Sequence, residues 1–195
     1  MAAGYYNPDS GSSSIASCRA CEVGKANPVP GSRDATACTH CLPGSFTDTE
    51  GSGTCTQCAS GTFQNASGAA ACFPCTAGSY CPEGAAAPLP CKQGTYSDAT
   101  GLSSPTQCTP ALPGFHATTG STEQMPCSPG TRQPEPGMGQ CDPCDAGTFQ
   151  ETEGQQMCKT CPLGVTPLPL RQAVGRAGFT LPTLYLYLAY HTSPY

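Results

Sequence analysis

Residues 41–58 read CLPGSFTDTEGSGTCTQC, and this stretch decides the fold. A glycine, Gly44, stands three residues after Cys41; an aromatic, Phe46, follows two residues on; a second glycine, Gly51, comes five residues later; and Cys55-x-x-Cys58 closes the unit. Outward from here the pattern recurs with a unit of roughly 17 residues, the mark of a repeat architecture. Gly follows a Cys by three at Gly24, Gly44, Gly61, Gly78, Gly94, Gly130, Gly147 and Gly164. The aromatic recurs at Phe46, Phe63, Tyr80, Tyr96 and Phe149, and a partial unit at the start has Gly4 followed by Tyr6. The second Gly recurs at Gly11, Gly51, Gly68, Gly101 and Gly154, and the next Cys follows after three or six residues.

The surrounding composition leaves few other folds. Of 195 residues only 22 are Leu, Ile, Val or Phe, too few for a conventional packed core. With 23 Gly, 21 Pro and 11% charged residues, the chain would read as disordered but for its 16 Cys, all between Cys18 and Cys161. At that density cross-links replace a hydrophobic core. A coiled coil, a large α/β enzyme and a membrane bundle are excluded. The net charge of −5 offers no basic stripe for a phosphate backbone, so no nucleic acid is expected as a partner.

Each part of the unit suits a short cross-linked hairpin. The first Gly allows close backbone approach or positive φ, the aromatic supplies the unit's one sizeable apolar surface and is expected to pack on its own disulfide, and the second Gly closes the turn. The fold class expected is therefore small and disulfide-rich, an elongated tandem array of short cross-linked β-hairpins with little helix, in which each unit touches only its neighbours. Removing one bridge from such a unit costs roughly 2 to 5 kcal/mol.

The cysteines form C-x-x-C six times, at Cys18/Cys21, Cys38/Cys41, Cys55/Cys58, Cys72/Cys75, Cys141/Cys144 and Cys158/Cys161. Sequence alone leaves many connectivities open. The simplest rule lets the second Cys of each pair open a loop that the first Cys of the next pair closes. It joins Cys21 to Cys38, Cys41 to Cys55, Cys58 to Cys72, Cys91 to Cys108, Cys127 to Cys141 and Cys144 to Cys158. Cys75 and Cys81 then form a short extra loop. The corresponding stretch after Cys108 has Ala111 and Ala117 at the aligned positions, and the joint loss of two cysteines is what a mutual pair would leave. Cys18 and Cys161 remain unpaired at the two ends, as in a piece cut from a longer array.

The segments LPGSFTDTEGSGTCTQC, SGTFQNASGAAACFPC and DAGTFQETEGQQMCKTC, with their C-x-x-C links, resemble the ephrin-receptor-like cysteine-rich repeat, related in style to EGF-like and tumour-necrosis-factor-receptor modules. The resemblance covers residues 4–164. It implies a module of extracellular mosaic proteins and receptor ectodomains. Departures are the Ala111/Ala117 replacement, and Ala26 and Arg132 at the aromatic position.

Other chemistries fit less well. Cys18/Cys21 with Cys38/Cys41 has the spacing of a four-thiolate zinc ribbon, but Cys81, Cys91, Cys108 and Cys127 stand alone and fit no such site. His40 inside CTHC imitates a redox-active C-x-x-C, yet five other pairs lack a His and no βαβ pattern surrounds it. His40, His116 and His191 are scattered without the spacing of a catalytic arrangement. The acidic turns Asp48/Glu50 and Glu151/Glu153 lack the ligand pattern of a strong calcium loop. No catalytic residue, cofactor or metal is therefore assigned. Asn65-Ala66-Ser67 is a glycosylation sequon placed on a hairpin turn.

The division expected is a partial first repeat (1–21), cysteine-rich repeats (22–75), variant repeats with the extra-loop units (76–144), final incomplete repeats (145–164) and an unrelated tail (165–195) without cysteine, expected to be disordered. The tail breaks the pattern in mid-unit, as an alternative or wrongly assigned transcript end would; its LPTLYLYLAY is too short and interrupted for a membrane span. The start, MAAGYYNPDSGSSS, has no basic and apolar leader, so no signal peptide is read, although the cysteines need an oxidising compartment; Met1 is expected not to be the natural start of the mature protein. The function expected is a non-catalytic extracellular segment, a spacer or an adhesion and ligand-binding region, whose partners are protein ligands or neighbouring extracellular domains. The competing reading is an intracellular zinc-binding or thiol-redox protein using the C-x-x-C pairs.

Overall fold

A computed structural model describes residues 2–162. Within them the chain forms nine two-stranded antiparallel hairpins, each strand two residues long. They pair Tyr5–Tyr6 with Arg19–Ala20, Lys25–Ala26 with Thr39–His40, Ser45–Phe46 with Thr56–Gln57, Thr62–Phe63 with Phe73–Pro74, and Ser79–Tyr80 with Leu89–Pro90. The series continues with Thr95–Tyr96 and Thr109–Pro110, Phe115–His116 and Met125–Pro126, Thr131–Arg132 and Asp142–Pro143, and Thr148–Phe149 and Lys159–Thr160. We number the repeats 1 to 9 by their leading glycines: Gly4, Gly24, Gly44, Gly61, Gly78, Gly94, Gly114, Gly130 and Gly147. Repeat 7 is the one whose leading Cys is replaced by Ala111, which hides it from a cysteine-based alignment.

The first strand of each hairpin is short because a glycine in the left-handed region precedes it and another follows within the same turn. The leading Gly and the turn Gly of every repeat have positive φ, for example Gly61 at 87° and Gly101 at 76°. Sequence reading found the turn Gly in five units; Gly31, Gly84, Gly120 and Gly137 complete the set. Across each hairpin mouth the residue that follows the second strand bonds back to the leading Gly, as Cys58 N does to Gly44 O at 2.9 Å. Repeats with three extra residues before the next Cys use them for a single 3₁₀ turn: Ile15–Ser17, Ala35–Ala37 and Pro105–Gln107, capped by Ser14, Asp34 and Ser104. No α-helix occurs among the described residues, and no helix there is long and apolar enough to cross a membrane.

Successive repeats are joined by a recurring set of backbone hydrogen bonds. In repeat 4, Gly61 N donates to Cys81 O at 2.8 Å and Gln64 N to Ala85 O at 3.1 Å, both in repeat 5; Gly101 N of repeat 6 donates back to Cys75 O at 2.8 Å. The expectation that each unit touches only its neighbours is therefore corrected: the turn of every repeat from 3 to 9 also reaches the repeat two before it. The leading Gly is required by this second contact, because a Cβ at Gly61 would stand 2.5 Å from Gly101 O.

The core is a file of sulfur. Cys58, Cys75, Cys81, Cys91 and Cys127 are fully enclosed, and Ala111 and Ala117 are equally buried in the places of a bridge. Phe63 and Tyr80 pack on the bridge that follows their own, a second correction to the expectation that each ring packs on its own disulfide. Phe63 of repeat 4 packs on Cys75, Cys81 and Ala85, and Tyr80 of repeat 5 on Cys91, Leu102 and Cys108, so each ring covers the following bridge.

Candidate interaction surface

The structure brings together Cys21 and Cys38, Cys41 and Cys55, Cys58 and Cys72, Cys75 and Cys81, Cys91 and Cys108, Cys127 and Cys141, and Cys144 and Cys158. Their Cα atoms lie 5.5 to 5.9 Å apart, the usual span of a bridge. In each C-x-x-C whose two cysteines are both bridged the sulfurs thus serve different loops. CTHC is an instance: Cys38 is bound to Cys21 and Cys41 to Cys55, while His40 is exposed. Among the described residues only Cys18, half-buried, and Cys161, exposed, are thiols.

His116 occupies the aromatic position of repeat 7 and does what the aromatics do. Its Nδ1 is 3.4 Å from Cys141 Sγ, on the next bridge. His116, Cys127 and Cys141 fall within 4.8 Å of one another, the one such cluster of metal-ligand types among the described residues, but the two sulfurs are bonded to each other. Without free thiolates the group is an imidazole resting on a disulfide. The sequence reading missed this unit's aromatic substitute because it counted units from cysteines.

It also missed a polar position. Three residues after six of the nine leading glycines stands Asn27, Thr47, Gln64, Ser97, Gln133 or Gln150, all nearly enclosed. These side chains build the turn from inside: Gln133 Nε2 donates to Gln140 O at 2.9 Å while its Oε1 accepts from Glu135 N at 3.1 Å, and Gln64 bonds Ala71 O and Ala66 N in the same way. No buried side-chain polar atom among the described residues lacks a partner. The recurrence of Asn, Thr, Gln and Ser at one offset was the available signal.

What remains on the outside is set by this frame. Asn65 is exposed in the loop after Phe63, next to the buried Gln64. Leu42, Phe73, Leu89, Leu112 and Met125 stand on the surface, about one per repeat, at positions that no bridge or inter-repeat bond uses. Depressions are shallow and polar, one along Gln150–Lys159 and one between the turns of Asn7–Ser12 and Gly31–Arg33. Charge is sparse. Lys25 pairs with Glu22 at 2.8 Å, which holds the Glu22 carboxyl below its ordinary range, and the Thr36 backbone and side chain do the same for Asp34. His191 and the tail 165–195 lie outside the described residues.

No curated protein sequence matches the chain. The family model described as "Tyrosine-protein kinase ephrin type A/B receptor-like" matches three times, at residues 33–71, 44–87 and 130–168. The first two overlap on repeats 3 and 4, and the third covers repeats 8 and 9 and runs on past the described residues. With nine hairpins and seven bridges in one register, the chain carries ephrin-receptor-like cysteine-rich repeats, matched over residues 33–87 and 130–168.

Proposed function

We propose that the array is a non-catalytic extracellular segment that holds neighbouring domains at a fixed separation and presents its exposed loops to protein ligands. The supporting observation is the division of labour in each repeat. Glycines, cysteines, backbone amides and, in six repeats, one buried polar side chain make the frame, while Leu42, Phe73, Leu89 and Met125 stand outside it. A solid of this kind, with seven bridges, persists where thiols are oxidised. Asn65, exposed in an oxidised secretory context, is a site for an N-linked glycan.

Two measurements test the reading. Intact mass of chain secreted through an oxidising compartment, with and without reductant, is expected to differ by about 14 hydrogens, two per bridge; reduced cysteines carrying stoichiometric zinc would overturn it in favour of the intracellular zinc or redox reading. Small-angle scattering is expected to give one maximum dimension for the array that does not change when Leu42, Phe73, Leu89 and Met125 are replaced by Ser. A flexible-chain profile in the oxidised protein would refute the spacer role.

A further inference from the structure

Repeat 7 puts an imidazole where its counterparts put an aromatic ring. Phe63 and Tyr80 each cover the bridge of the following repeat with a ring that offers no base. His116 stands at the same place, second in the first strand of its hairpin, and its Nδ1 lies 3.4 Å from Cys141 Sγ. One of its ring nitrogens is within 4.8 Å of both the Cys127 and Cys141 sulfurs, and no other cluster of this kind occurs among the described residues. His40, the other described histidine, is exposed on a second strand, away from the aromatic position.

Loop length and access do not single out this bridge. Cys41–Cys55, Cys58–Cys72, Cys127–Cys141 and Cys144–Cys158 all join cysteines 14 residues apart, so loop entropy treats them alike. In Cys58–Cys72, as in Cys127–Cys141, the opening cysteine is fully enclosed and the closing one half-buried, so an incoming thiol meets the same barrier. The imidazole is the difference. A thiolate formed at Cys141 finds a proton acceptor at contact distance, whereas Phe46, in the corresponding place before Cys58–Cys72, supplies none. A neighbouring His that carries the thiol's proton favours the thiolate, and stabilising the reduced form makes a disulfide easier to reduce.

We propose that Cys127–Cys141 is a thiol-exchange site, which opens to a small thiol such as glutathione more readily than the bridges covered by aromatic rings, with His116 as its acid–base partner. The attack falls on Cys141, because Cys127 is fully enclosed. A glutathione thiolate bonds to Cys141 Sγ, the S–S bond breaks, and Cys127 leaves as a thiolate that takes one proton. A second glutathione thiolate attacks the glutathione sulfur of the mixed disulfide. Oxidised glutathione departs, and Cys141 is left as a thiolate beside His116, which carries the second proton. Two electrons pass from glutathione to the bridge, and the two protons are those of the two glutathione thiols. Opening leaves no bridge between Cys108 and Cys144, since Ala111 and Ala117 already replace a pair there. Repeats 7 and 8 are then held by backbone hydrogen bonds such as Gly137 N to Ala111 O at 2.7 Å. The site goes beyond the spacer reading and does not depend on it.

The test equilibrates the oxidised full chain with graded glutathione redox buffers, quenches in acid, alkylates the free thiols and maps the peptides. Cys127–Cys141 is expected to be half-reduced at a ratio of squared glutathione to oxidised glutathione about tenfold lower than Cys58–Cys72, a difference of ~30 mV for a two-electron couple. Any mixed disulfide with glutathione is expected on Cys141. His116→Phe, which restores the ring used in other repeats, is expected to remove the difference. Phe46→His is expected to confer the same advantage on Cys58–Cys72, and it decides the matter alone if His116→Phe does not fold. Equal midpoints in the parent chain, an adduct on Cys127 in place of Cys141, or midpoints that neither substitution moves would each overturn the proposal. The last of these would assign any difference to the pair missing at Ala111 and Ala117.

Discussion

Gly61→Ala isolates the contact between alternate repeats. The added Cβ would stand 2.5 Å from Gly101 O, where ordinary contact begins at 3.4 Å, so the turn of repeat 6 must retreat by about 0.9 Å. That retreat carries the Gly101 N to Cys75 O bond from 2.8 Å to well beyond hydrogen-bonding distance. Losing a bond of this kind and leaving its groups partly desolvated costs about 1–3 kcal/mol. A further ~1 kcal/mol comes from placing a side chain at φ 87°. Gly130→Ala is the control. Its φ is 82° and its own N–H also bonds the next repeat, Gln150 O at 2.8 Å, but nothing lies within 4 Å of the added carbon. It incurs the conformational cost alone. Because a repeat array opens locally, the assay is amide hydrogen exchange with disulfides intact. Gly101 N is expected to exchange about ten- to a hundredfold faster in Gly61→Ala, while Gly154 N, which bonds Cys127 O in the region of the control, keeps its protection in Gly130→Ala. Equal loss of protection in the two variants would show that only backbone strain matters and that alternate repeats are not energetically coupled.

Three further outcomes are expected. Replacing both Cys75 and Cys81 by Ala should reproduce the buried Ala111/Ala117 arrangement and leave six bridges intact at a cost of about 2 kcal/mol for so short a loop, measured by exchange at Cys91 N, whereas a single replacement leaves a thiol that scrambles the neighbouring bridges on non-reducing peptide maps. Gln150→Ala removes the bonds from its Nε2 to Met157 O and from Thr152 N to its Oε1, worth about 1–2 kcal/mol, and should speed glutamyl-endopeptidase cleavage after Glu153 several-fold; unchanged cleavage would mean that the side chain does not hold the turn. The Asp34 carboxyl titrates below its ordinary value because Thr36 hydrogen-bonds its charged form, so its cap on the turn at Ala35–Ala37 is complete above the unfolded aspartate pKa, about 4, and is lost as pH falls through the lower folded value; the Thr36 amide shift should show that acid transition in NMR titration and lose it in Asp34→Asn.

The repeat and its hairpins were legible because they are written in residues with no substitute: glycine where φ is positive, cysteine where a loop closes. The Cys75–Cys81 loop was legible through a paired absence at Ala111 and Ala117. Contacts between repeats were not, for a physical reason. They are made by backbone amides and carbonyls that every residue owns, so Gly61 N and Cys81 O leave no side-chain signature. Their one trace is the leading Gly, read from sequence as serving its own hairpin although the carbonyl it accommodates, Gly101 O, lies 40 residues on. The same forward offset misplaced the aromatics: Phe63 was assigned to Cys58–Cys72 because the two are local, whereas packing carries it to Cys75–Cys81.

Repeat 7 separates what the bridges do from what the frame does. Cys75 N donates to Gly61 O at 2.8 Å and Cys81 N to Leu102 O at 2.8 Å; Ala111 N donates to Gly94 O at 2.9 Å and Ala117 N to Met138 O at 3.1 Å. Geometry is kept where the disulfide is absent, and both alanines are fully enclosed, so methyl groups fill the place of the sulfurs. The hydrogen-bonded frame therefore specifies how one repeat stacks on the next. The bridges act chiefly on the unfolded chain, whose freedom they restrict, and each repeat buries too little apolar surface to do without that restriction everywhere. Repeat 7 manages with one bridge fewer because its neighbours on both sides, held by Cys91–Cys108 and Cys127–Cys141, already fix the ends of the loop that Ala111 and Ala117 leave open.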